Sequence, residues 1–76
     1  QSGEESHVRR TAAEALVRAF TAYDPTVRRL IAKAVLVVDH PATLQMIRAE
    51  QTAASTADRA ALEQLAQRVR NSPLRR

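Results

Sequence analysis

Punctuation constrains this chain more than anything else in it. There is one glycine and there are three prolines in 76 residues, and each proline follows Asp or Asn by one or two positions: Asp24-Pro25, Asp39-His40-Pro41 and Asn71-Ser72-Pro73. Proline has a fixed φ and no N–H, so it blocks an incoming helix yet suits the first position of a new one. Asp is a good N-cap for such a restart. β-Hairpins depend on Gly or Asn-Gly turns, for which one glycine is poor material. Between the breaks the chain is rich in Ala, Leu, Arg, Glu and Gln, which are strong helix formers. The pattern predicts an all-α fold of four helices joined by tight turns.

The apolar spacing places these helices. Val8, Ala12, Leu16, Ala19, Phe20 and Tyr23 fall three or four apart and predict a first helix over Glu4–Tyr23. Gln1-Ser2-Gly3 has the look of a tag or linker remnant and is set apart from the domain, residues 4–71. A second helix is expected from Thr26 to Val38, with Val27, Leu30, Ile31, Ala34, Val35 and Val38 as its stripe. Leu36 and Val37 extend its apolar character to other faces, so it is expected at the centre of the molecule. The run Val35-Leu36-Val37-Val38 could pass for a strand, but no second strand candidate pairs with it. A short third helix follows Asp39-His40-Pro41, anchored by Leu44, Met46 and Ile47; Gln51–Ala54 continues it or forms a loop. Ser55-Thr56-Ala57-Asp58 reads as a variant capping box. It opens a last helix carrying Ala61, Leu62, Leu65, Ala66 and Val69, which ends before Pro73. Residues 72–76 read as a frayed basic tail.

Composition narrows the function classes. The chain has no cysteine, so neither disulfides nor thiolate metal sites support it. Hydrophobic residues make up 45% of the sequence but aromatics only 3%, leaving Phe20 and Tyr23 as the rings available to the core. No apolar run approaches the ~20 residues that cross a bilayer, and no signal peptide is evident. Net charge is +4, and every basic residue except Lys33 is arginine, which reads as GC-rich coding rather than selected chemistry.

Catalytic signals are sparse. His7 and His40 lie far apart, neither has a ligand partner one helical turn away, and His40 before Pro41 reads as a turn residue. The carboxylates are scattered singly, and Asp24, Asp39 and Asp58 are explained as helix caps. One glycine cannot build a phosphate-binding loop. No enzyme activity, cofactor or metal is therefore expected. Arg9-Arg10, Arg28-Arg29, Arg48 and the terminal arginines could neutralise phosphates, and the first two helices outline a helix-turn-helix. The second helix is too apolar to lie in a groove, however.

Several segments together resemble a known module. Ala12-Ala13-Glu14-Ala15-Leu16-Val17, Asp24-Pro25-Thr26-Val27, Leu30-Ile31-Ala32-Lys33-Ala34-Val35-Leu36-Val37, Val38-Asp39 and Thr43-Leu44-Gln45-Met46-Ile47 follow in register. They resemble the MLLE (PABC) domain of poly(A)-binding proteins and related RNA-transport proteins. That family reads Leu-Gly-Glu-Arg-Leu-Phe, His-Pro-Thr-Leu, Lys-Ile-Thr-Gly-Met-Leu-Leu-Glu, Ile-Asp and Leu-Leu-x-Met-Leu at these places. The last helix fits with about five residues inserted near Glu50–Ala54.

The resemblance implies a small right-handed superhelical bundle of four or five short helices. It further implies a cytoplasmic protein-interaction module that takes Leu and Phe of a short PABP-interacting peptide into two pockets flanking the signature helix. Arg10, Ala13, Glu14, Val17, Leu30, Lys33, Ala34, Val35, Leu36 and Val37 are the implied contact residues. RNA would be met only through other domains of the parent chain. Departures fall on the site itself. Ala13 replaces the glycine that lets the Phe ring approach, Val17 an aromatic wall, Leu30 the signature Lys, Lys33 its Gly and Val37 its Glu. An added Cβ and a lost ring narrow and weaken the Phe pocket, so peptide binding is either altered or lost. Two other readings stay open: a bacterial helical DNA- or partner-binding fragment, and an oligomerisation bundle with a seam at Leu36 and Val37.

Overall fold

A computed structural model describes residues 2–72, with side chains from residue 4 onward. Four helices follow one another: α1 (Ser2–Phe20), α2 (Pro25–Val38), α3 (Thr43–Thr52) and α4 (Thr56–Arg70). The described residues contain no strand. Pro73 and the expected basic tail beyond it lie outside them, as does Gln1, whereas Ser2 and Gly3 belong to α1.

Each turn has a local cause. α1 closes with Ala22 N–H donating to the Ala19 carbonyl at 3.0 Å, three residues before the expected end at Tyr23. Asp24 is extended (φ −76°, ψ 171°), and its Oδ1 accepts from Val27 N–H at 3.0 Å while Pro25 takes the first helical position. One of the orphan donors of the new helix is thereby satisfied. α2 ends where Asp39 turns left-handed (φ 49°, ψ 50°), a conformation Asp tolerates better than most residues. Arg9 from α1 reaches this corner, donating to the carbonyls of Val38 and Asp39, both at 2.9 Å. The exposed C-terminal acceptors of α2 are thus held by a side chain from another helix.

The second break works differently from the first. Asp39 terminates α2 but does not cap α3, whose N-cap is Ala42 with no side-chain bond. His40 organises the turn instead: its Nδ1 accepts from Ala42 N–H at 3.0 Å and its carbonyl from Thr43 N–H at 3.1 Å. Ser55 opens α4, its hydroxyl accepting from Asp58 N–H at 3.2 Å. The Asp58 carboxylate turns to Arg28 of α2 at 3.5 Å.

Val17 and Phe20 of α1, Ile31, Ala32 and Val35 of α2, Ile47 of α3, and Leu62, Leu65, Ala66 and Val69 of α4 form one buried cluster. The principal packing runs α2 to α1, α1 to α3, α3 to α4 and α4 back to α2. No helix is central. The expectation for α2 is corrected accordingly: it buries one face, and Leu30 (63% exposed) and Val37 (78%) stand in solvent. On α1 the buried face is Ala13, Val17 and Phe20, one position round from the expected stripe, which leaves Val8 62% and Tyr23 54% exposed. Phe20 is therefore the single ring in the core. Residues 4–11 of α1 are all exposed.

Candidate functional site

The ten residues implied by the resemblance fall in four separate settings. Ala13, Val17 and Val35 are core residues, spent on helix packing. Arg10 and Glu14 pair at 3.8 Å and edge a groove of about 210 Å³ between α1 and α3, whose floor includes Val17 and Met46. Leu30, Lys33 and Val37 lie three and four residues apart on the outer face of α2, away from the core. Ala34 and Leu36 are half-buried, and Leu36 packs against the core cluster. The seam expected at Leu36 and Val37 thus keeps Val37 as its exposed member. The α1 side of α2, where the Phe pocket is expected, is filled by Ala13 and Val17.

A larger groove, about 310 Å³, opens on the other side of α2, against α4. Its apolar floor is made by Phe20, Ala32, Ala61 and Leu65, with Pro25 at the N-terminal end of α2. Two alanines facing each other across helices leave space that larger side chains would fill, which is the local reason a groove exists here. Its volume lies near the lower bound of small-ligand sites, roughly 300 Å³, enough for an anchor side chain rather than a buried metabolite.

Arginines surround this floor. Arg28 is fixed inside the bundle: Nε donates to the Phe20 carbonyl at 3.0 Å and Nη2 to the Thr21 carbonyl at 3.1 Å. Its guanidinium lies 5.7 Å from the Phe20 ring centroid and pairs with Asp58. Arg29 and Arg68 line the same groove, are exposed, and make no ion pair or hydrogen bond with any described residue. No carboxylate lines it. Sequence reasoning missed Arg68, Ala61 and Leu65 as site residues, and weighed Arg28 and Arg29 only as phosphate contacts. The signal was there for the arginines, which stand one position outside the apolar stripes of α2 and α4, but the pairing of these two helices had no sequence signature.

The remaining polar chemistry is structural. Arg48, Gln51 and Glu63 form a network between α3 and α4, in which Gln51 donates to Glu63 at 3.2 Å and to the Arg59 carbonyl at 3.1 Å. The Arg48 guanidinium, and after it the Gln51 amide, hold the Glu63 carboxyl down to a pKa of about 2. Among the described residues no group of three or more His, Asp or Glu side chains could hold a metal ion, and no helix is long and apolar enough to cross a membrane. Of the arginines that could meet phosphates, Arg9, Arg10, Arg28 and Arg48 are engaged within the bundle, and Arg75 and Arg76 lie outside the described residues.

No known protein family, characterised protein or solved structure matches this chain.

Proposed function

We propose that this chain is a non-enzymatic protein-interaction module of the MLLE type. It takes a short linear peptide through the groove between α2 and α4, within a larger cytoplasmic RNA-associated protein that meets RNA through other domains. The observation that carries the reading is the groove of about 310 Å³ on one side of α2, lined by Phe20, Ala32, Ala61 and Leu65. A few buried anchors supply most of the energy in such recognition, and the ordering cost falls on the peptide. The α1 side of α2 is occupied by Ala13 and Val17, so binding relies on one anchor, the aliphatic one.

Titration of the chain with a PABP-interacting peptide, followed by amide chemical shifts, tests this. Shifts should centre on Ala32, Ala61 and Leu65. Replacing the peptide's Leu should abolish them, while replacing its Phe should leave them nearly unchanged. An Ala61→Trp variant, altered at a half-buried position, should stay folded and lose binding. Unmoved groove resonances at millimolar peptide, or an affinity carried by the Phe, would sink the proposal.

A further inference from the structure

We infer that the α2–α4 groove selects an acidic partner: a short peptide whose apolar anchor is flanked by Asp or Glu. The inference rests on reading that groove as a peptide site and adds the chemistry of what enters it. Five of the nine described arginines have a carboxylate partner. Arg10 pairs with Glu14, Arg18 with Glu50, and both Arg48 and Arg70 with Glu63. Arg28, deep in the groove, is offset by Asp58. Arg9 and Arg59 lack a carboxylate but donate to backbone carbonyls, whereas Arg29 and Arg68 have neither among the described residues. They come from the two helices that line the groove and are exposed.

Asp24 caps α2 beside Pro25 and Asp58 pairs with Arg28, but no carboxylate lines the groove itself. α2 contains no Asp or Glu from Pro25 to Val38, and Lys33 lies a turn beyond Arg29 on the same helix. A cleft walled by apolar side chains and edged by one sign of charge focuses the field on whatever enters it. Guanidinium groups match carboxylates with paired hydrogen bonds, so the flanks of an inserted anchor meet donors of fixed geometry. Nucleic acid fits less well. The floor ring, Phe20, is buried beneath Arg28 and offers no face for a base to stack on.

Panning a random dodecapeptide phage library against the full chain tests this directly. Selected peptides should share one aliphatic anchor with Asp or Glu within a few residues of it. Exchanging those acids for Asn and Gln in a synthetic copy should weaken binding about 3- to 10-fold, as expected of two exposed ion pairs. The difference should shrink as salt rises toward 1 M, where screening acts within about 3 Å. In the Arg29→Ala/Arg68→Ala double variant the acidic preference should vanish while the aliphatic anchor is still selected. Selected peptides that lack acidic flanks, yet are lost in Ala61→Trp, overturn the charge inference and leave the groove as a peptide site. No enrichment on a chain shown folded by circular dichroism overturns both. Displacement of a selected peptide by single-stranded oligo-dT at equal concentration would overturn the acidic-peptide assignment in favour of nucleic acid.

Discussion

Arg28 lies over Phe20 and closes the end of α1: its guanidinium is 5.7 Å from the ring centroid while it donates to the Phe20 carbonyl at 3.0 Å. One side chain of α2 thereby covers the buried Phe20 ring and satisfies C-terminal acceptors of the preceding helix. Arg28→Lys keeps the charge but loses the planar fork, and should cost about 1–2 kcal/mol in urea denaturation. Arg28→Ala should cost more than the Lys variant. Equal stability of Arg28→Lys and the parent would show that charge alone matters there.

Gln51 is buried between α3 and α4 with both ends of its amide engaged. It accepts from Arg48 at 2.8 Å and donates to the Arg59 carbonyl and the Glu63 carboxylate. Gln51→Leu should fit by volume yet remove the side-chain bonds to Arg48, the Arg59 carbonyl and Glu63, at a cost of about 1–3 kcal/mol. The midpoint of thermal unfolding reads this loss.

Glu63 couples the same interface to pH. Its folded-state pKa is lowered to about 2 by hydrogen bonds from Arg48 first and Gln51 next. A carboxyl whose pKa is lower in the folded chain contributes stability that is complete above its ordinary value near 4.5 and lost as pH falls towards about 2. Unfolding free energy should therefore decline through that acid window. Glu63→Gln should flatten the decline; an unchanged pH profile in the variant would refute the role assigned to Glu63.

Thr43 presents the reverse situation. Its side chain is almost fully buried at the start of α3, and its hydroxyl finds no hydrogen-bond partner. Thr43→Val removes an unsatisfied polar atom while keeping the branched shape, and should raise stability by ~1 kcal/mol. A loss of stability on calorimetry would mean the hydroxyl has a partner in solution.

The helix order was legible because proline and capping residues act locally. Asp24-Pro25 and Ser55 with Asp58 mark helix starts within a residue of where they occur. The second break was half legible: Asp39 ends α2, but His40, through its ring nitrogen, shapes the entry to α3. The rotation of α1 was not readable. Its Ala-rich middle offers two overlapping stripes, and only packing against α2 and α3 chooses Ala13, Val17 and Phe20 over Val8, Leu16 and Tyr23. Likewise Leu30 looks more like a core residue than Ala32, yet the alanine is buried and the leucine is not. The groove was invisible for the same reason, since it depends on Ala32 meeting Ala61 across two helices separated in sequence by α3.

The circuit of packing from α2 through α1, α3 and α4 back to α2 has a consequence for how the molecule comes apart. Each helix shields its two neighbours, so detaching any one strips water-excluding cover from both and leaves no smaller closed unit. Amide protons on all four helices should then exchange through a single shared opening event rather than helix by helix. The amides of residues 4–8, exposed and ahead of the Arg9 contact to the end of α2, should exchange far earlier by fraying.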